Sequence, residues 1–220
     1  MEMKKSILKN AVFWLLSAAP IAATAALYGS LPEQVPIHWD LGGTVEYGPK
    51  SSLWLLSLMG LAVAAAMRIL PKVDPRRENY KRFGKYYDVT LLAIILLLDT
   101  IYAVTVSEAL HPGRLSVSRV VTCGVGLLFA VLGNVMPKFK SNFFAGTRTP
   151  WSLSDPDVWN RTQRLSGWLF FALGAVLLLA GLLFPEGAMF AILLAGVIVV
   201  VIVPTVMSYL WYRQKHPKGE

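Results

Sequence analysis

Residues 133–167 read GNVMPKFKSNFFAGTRTPWSLSDPDVWNRTQRLSG. This stretch decides the fold, because it is polar and lies between long apolar runs. Lys138, Lys140, Arg148, Arg161 and Arg164 fall within it, as do Trp151, Trp159 and two Pro-broken turns. A bilayer tolerates such a segment only outside its hydrocarbon core, where water or headgroups satisfy the polar groups. The runs on either side, 117–136 and 165–184, have the length and composition of membrane spans.

Working outward, the same pattern repeats. Apolar runs cover 11–27, 53–70, 89–106 and 188–211, which makes six spans in all. The composition agrees: 55% of the 220 residues are hydrophobic and 15% are charged, against about 25% charged in a soluble domain. Mean hydropathy is +0.53. The fold class expected is an all-α integral membrane protein, six transmembrane helices with a small β-hairpin outside. Residues 1–27 also resemble a signal peptide, with a basic start, an apolar centre and small residues at Ala23-Thr24-Ala25. An uncleaved first span is the preferred reading, since further spans follow.

Charge orients the bundle. Of 21 Lys and Arg, only Lys50, Arg114 and Arg119 fall on one side of the six spans, and eighteen fall on the other. The asymmetry recurs at every crossing. It predicts that both termini and the long loop are cytoplasmic and the hairpin external. The net charge of +8 is then a property of membrane loops, and no direct nucleic-acid binding is expected. The chain divides into residues 1–70 (first span, external hairpin 30–52, second span), 71–116 (basic loop, third span, short loop), 117–211 (spans four to six with loop 137–164) and a tail, 212–220. No stretch is long enough for a separate soluble domain. The single cysteine, Cys123, excludes an intrachain disulfide and reads as a small packing residue.

In the external segment, Pro32, Pro36 and Pro49 exclude helix. Val35, Ile37 and Trp39 alternate with Pro36, His38 and Asp40, which suits a strand. Gly42-Gly43 suits a turn, and residues 44–47 a return strand. His38 and Asp40 then share a side. With Glu33, Glu46 and His111 they allow a metal site or an acid–base pair, but the spacing matches no metal motif, and a rigid polar loop is the preferred reading. The segment's acidity, Glu33, Asp40 and Glu46 against Lys50, suits recognition of a cationic or amphipathic ligand.

Residues 71–87 read as a short basic loop whose Tyr80, Tyr86 and Tyr87 suit a membrane interface. Asp99 interrupts the third span. A buried carboxylate there costs several kcal/mol unless it meets a partner or water. It reads either as a proton or cation relay or as a hydrogen-bonded strut with Thr100, Thr105 or Thr122, and the strut is preferred. Gly167, Gly174 and Gly181 recur every seven residues, a smooth stripe for close helix packing, with the partner helix left open. In the long loop, Ser154 is expected to cap a helix beginning near Asp155, with Pro156 early and Asp157 paired to Arg161. Trp151 and Trp159 are expected at the lipid boundary. The loop's cations suit phospholipid headgroups or an acidic partner. No nucleophile–base pair or metal set stands beside them, so no catalysis, cofactor or metal is expected.

The long loop also resembles a known signature. Gly133-Asn134, Lys138, Lys140, Asn142, Gly146, Arg148-Thr149-Pro150-Trp151, Ser154, Val158-Trp159, Thr162 and Gly167 are similar to the pattern of SdpI-like proteins, bacterial membrane proteins of immunity to a sporulation-delaying toxin. Ser141 departs from the pattern, which commonly has Pro there; this bears on the local turn. Pro36, His38-Trp39, Gly43, Tyr47-Gly48 and Lys50 resemble the small N-terminal domain often fused to that family. The resemblance implies a protein of the bacterial plasma membrane that protects against a secreted membrane-active peptide toxin. It also implies signalling, by holding a helix-turn-helix repressor at the membrane. Pro36, His38, Trp39, Asp40 and Tyr47 are then the candidates for ligand recognition, and Arg148, Thr149, Pro150, Trp151, Trp159, Arg161 and Arg164 for the signalling face. The rivals are a small transporter or exporter working through Asp99 and, ranked last, a lipid-modifying enzyme.

Overall fold

The computed structural model describes residues 2–39 and 44–217, with residues 2–9 as backbone only. The chain is an all-α multi-pass membrane protein with six helices long and apolar enough to span a bilayer. In order they are α1 (Glu2–Leu27), α2 (Ser52–Val73), α3 (Tyr80–Leu110), α4 (Val117–Val135), α6 (Pro156–Leu183) and α7 (Glu186–Lys215); α5 (Pro150–Ser154) is one short turn in the long loop. Many of their apolar side chains face outward, among them Leu55, Leu127, Trp168, Leu183 and Val201. Such exposure is an aggregation hazard in water and the normal state in lipid.

The bundle has two halves. Helices α1, α2 and α3 pack on one another, α6 packs on both α4 and α7, and α3 against α4 joins the halves. The α4–α6 contact is the most extensive, and it answers where the glycine stripe goes. A methyl on Gly126 would meet the Gly174 carbonyl oxygen at 2.9 Å, and one on Gly167 would meet the Gly133 carbonyl oxygen at 2.7 Å. Both helices therefore supply glycines, and their backbones touch within one chain.

The expected basic loop 71–87 mostly folds into helix. Helix α2 continues through Pro71 to Val73, and after a 3-10 turn at Arg77–Asn79, α3 begins at Tyr80. Pro71 has no N–H to give to the carbonyl of Met67, four residues back. The Tyr87 hydroxyl donates to that oxygen instead, at 2.7 Å. Tyr80 and Tyr87 are thus buried rather than interfacial. They stack edge-on and share a core with Phe83, Leu91, Phe139 and Trp159.

At the other end of the bundle, β1 (Gln34–Trp39) pairs antiparallel with β2 (Val45–Pro49) and lies against α3. The register slips between Pro36 and His38, leaving Ile37 as an extra residue. This bulge breaks the expected alternation: Val35 and Pro36 are both buried, while Ile37 and His38 are both exposed. Ile37 folds across Gly48, where a methyl would meet its Cδ1 at 2.9 Å. Asp40 and the Gly42-Gly43 turn lie outside the described residues.

Candidate functional site

The long loop is sealed by its own polar groups. Asn142 is fully buried and makes five hydrogen bonds. Its Oδ1 accepts from the N–H groups of Phe144 (2.9 Å) and Ala145 (2.6 Å) and from the Tyr80 hydroxyl (3.2 Å). Its Nδ2 donates to the carbonyls of Lys140 (2.8 Å) and Ala145 (3.1 Å). Asp74, also buried, accepts from the N–H groups of Arg76 and Phe143 and from the Tyr80 hydroxyl. The Arg76 guanidinium donates to the Ser141 hydroxyl and, at 2.9 Å, to the Leu153 carbonyl. Asn79 donates to the Ser141 carbonyl at 2.7 Å. The α2–α3 connection therefore holds the loop in place. Sequence spacing gave no sign of this, because the partners lie more than 60 residues apart.

The rest of the loop follows the same plan. Gly146 has φ +93°, and a side chain there would collide with Gln163. Gln163, fully buried, reads both backbone groups of Thr147: Oε1 accepts from its N–H at 3.1 Å and Nε2 donates to its carbonyl at 2.7 Å. Thr149 caps α5 in a reciprocal box with Ser152, with Pro150 at the first helical position. Its hydroxyl also meets Ser208 of α7 at 2.8 Å. The α6 cap is Asp155, not Ser154; its carboxylate accepts from the N–H groups of Asp157 and Val158. Ser154 is taken up by α5, where its hydroxyl donates to the Pro150 carbonyl.

Asp155 also receives Lys215 (2.9 Å) and His216 (3.3 Å) from the end of α7. Burial opposes its ionisation, but the bonds from Lys215, the Val158 and Asp157 N–H groups and His216 outweigh that. They hold the carboxyl well below the usual carboxylate range. Asp157 pairs with Lys215 at 2.6 Å rather than with Arg161. Trp159 is 1% exposed and donates its indole N–H to the Phe139 carbonyl at 2.9 Å, so it is core rather than lipid boundary. Trp151 stacks against Tyr209 of α7. Of the seven residues expected on the signalling face, Arg148, Pro150, Arg161 and Arg164 remain exposed. Arg148 is braced on the Phe143 carbonyl at 2.6 Å.

At the hairpin end a cavity of about 360 Å³ opens between β1, α3, α4 and α7. Ile37, His38 and Trp39 form one wall, Ile101, Val104 and Val121 part of the floor, and Glu186, Met189, Phe190 and Leu193 the far wall. Pro36 is buried beneath the hairpin, and Tyr47 stands exposed on β2. Glu33 is paired with Lys50 at 2.9 Å. No three metal-ligating side chains gather among the described residues.

Asp99 lies in α3, facing α2 near Gly60; its Oδ1 is buried with no hydrogen-bond partner among the described residues. The strut expected with its threonines does not form at Thr100 or Thr105, whose hydroxyls bond their own helix at the Leu96 and Ile101 carbonyls.

Residues 138–208 match the SdpI/YfhL protein family, and residues 15–61 match a domain of unknown function, DUF1648. The chain is 22% identical to the immunity protein SdpI of Bacillus subtilis (strain 168), over 94% of this chain and 97% of that one. The chain is similar to SdpI-like membrane proteins along most of its length. No solved structure matches.

The SdpI-like region contains the sealed loop, α5, α6 and α7 as far as Ser208, the residue that Thr149 holds. The 15–61 region contains most of α1, the hairpin and the first half of α2. Between them lie α3 and α4, together with Asp74, Arg76, Asn79 and Tyr80. The cavity is where the two regions meet: its hairpin wall comes from one and its α7 wall from the other.

Proposed function

We propose that this protein confers immunity to a secreted membrane-active peptide, as a binding protein without catalysis. The observation that carries the reading is the end-to-end likeness to an immunity protein, through the hairpin and the long loop alike. The shape of the molecule supports it. One end is locked by buried hydrogen bonds, and the other holds an open, mostly apolar cavity under a hairpin. The Lys/Arg asymmetry supports a hairpin end outside the cell, where a secreted peptide arrives, and a loop end in the cytoplasm.

Signalling belongs to the loop end. Arg148, Pro150, Arg161 and Arg164 are its exposed members, together with Lys138 and Lys140, and they suit an acidic face of a cytoplasmic repressor. Thr149, Trp151 and Trp159 act on that surface by positioning it. For bound peptide to alter what the loop presents, it must bind two arrangements of the bundle with different affinity.

The experiment is survival of a peptide-sensitive strain with and without the chain. The reading expects protection in cells whose membranes contain it, and equal killing would end the reading. A second reading, ion-coupled export, is favoured by the unpartnered Oδ1 of Asp99. It expects flux in proteoliposomes that Asp99→Asn abolishes.

A further inference from the structure

The cavity at the hairpin end carries a charge that its walls do not answer. Glu186 is the first residue of α7, where the helix N-terminus favours a carboxylate. Among the described residues its one hydrogen bond is a long one, 3.4 Å from the Ser116 hydroxyl. No Lys, Arg or His pairs with it among the described residues. Arg119 stands one turn along α4 from Ser116, but its guanidinium donates to the Leu182 carbonyl at 3.3 Å. A carboxylate at the rim of an apolar cavity, without a cation of its own, suits a cation brought by a ligand.

The rest of the cavity describes that ligand. The α3 and α4 lining is largely aliphatic (Ile101, Val104, Val117, Val121) with three hydroxyls, Thr105, Ser118 and Thr122, of which Thr105 bonds its own helix at 2.8 Å. Trp39 and Phe190 line the same cavity as Glu186, and an aromatic face attracts a cation. A volume of about 360 Å³ is at the small end of binding cavities. It is too small to enclose even one turn of helix, about 10 Å across with side chains and about 5.4 Å long. It fits one or two side chains, the anchor of something larger.

We infer that this cavity binds an amphipathic peptide by one bulky apolar side chain, with a neighbouring Lys, Arg or free amine on Glu186. That the ligand is a peptide rests on the immunity reading; the pairing of an apolar anchor with a cation rests on the cavity. Charge complementarity decides against a plain acyl chain, which would leave the carboxylate facing hydrocarbon.

The test uses the full chain in phosphatidylcholine nanodiscs and two short Leu- and Phe-rich synthetic peptides, identical but for one Lys or Glu. The Lys peptide should bind about tenfold tighter, the scale of one charge-assisted hydrogen bond. Glu186→Gln should bring the two peptides to near parity. Val121→Trp, which fills the floor, should weaken both. Each variant is first shown to elute like the wild-type protein. Equal binding of the two peptides by the wild-type chain overturns the inference, as does unchanged binding by Val121→Trp. A co-purifying lipid that Val121→Trp expels and neither peptide displaces overturns it in favour of an acyl chain. Survival assays separate the two layers. Protection that persists in Val121→Trp removes the cavity and leaves immunity standing. Charge-selective binding without protection removes immunity and leaves the cavity standing.

Discussion

Replacing Gly174 with Ala tests the packing of the bundle by the sign of its effect. In an open helix position, Gly→Ala stabilises by about 0.5–1 kcal/mol, because glycine loses more backbone freedom on folding. At Gly174 the added methyl would sit 2.5 Å from the Gly126 carbonyl oxygen and 3.0 Å from the Ala130 Cα, where ordinary contact begins at 3.4 Å. Both neighbours are backbone and cannot swing away, so α4 and α6 must part by roughly 1 Å. A gap of that size forfeits about a quarter to a half of the dispersion energy of each affected contact. Overpacking of this kind costs about 1–3 kcal/mol, which exceeds the propensity gain. Gly84 in α3 is the control, since a methyl there meets nothing within 4 Å. In detergent thermal melts, Gly84→Ala should raise the midpoint and Gly174→Ala should lower it. A Gly174→Ala midpoint equal to or above wild type refutes the close approach. The same seam has a chemical reporter: a Cβ at position 181 falls 2.5 Å from the Cys123 sulfur. Gly181→Cys should therefore oxidise to an intrachain disulfide. A cross-linked dimer would mean that the glycines face another chain.

Asn142→Ala removes the buried hub of the loop and strands the N–H groups of Phe144 and Ala145, at about 1–3 kcal/mol for each unsatisfied group. Limited proteolysis should cut residues 140–150 in this variant and spare them in the wild type; equal protection would show that the hub is dispensable. Asp155 has a depressed folded-state pKa, so its contribution is present above the unfolded value, about 3.9, and is lost as pH falls through the folded value. The gap in melting midpoint between wild type and Asp155→Asn should stay level from neutral pH to about pH 5 and close below about pH 4. A gap that closes between pH 7 and 5 would show that another group dominates the clamp.

What the sequence disclosed and what it hid have a common physical cause. The spans, the hairpin and the glycine stripe were legible because each is periodic or local. Pro71 hid the end of α2, because a proline in the last turn is tolerated once Tyr87 supplies the missing donor. Helix α5 was missed although its local signals were present: Thr149 with Ser152 three residues on, and Pro150 at the first position. Ser154 and Asp155 both carry side chains that can cap α6, and only the geometry chooses Asp155. The bulge at Ile37 follows Pro36, which cannot donate to a ladder, and it moved His38 out of the expected alternation. The roles of Asp74, Arg76, Asn79 and Tyr80 had no signature of any kind, since their partners lie in a distant segment. The cavity was invisible for the same reason. Glu186 lies in a tight turn far along the chain from His38 and Trp39, and only the fold brings them to one space.

Survival of a peptide-sensitive strain carrying the wild-type chain, against the same strain carrying Val121→Trp at equal membrane abundance, tests the account most directly. Protection by the wild type, and killing of the Val121→Trp cells at the rate of cells without the chain, is the predicted result. Equal survival of the two strains would contradict a protective site in the cavity, and equal killing of both would contradict immunity itself.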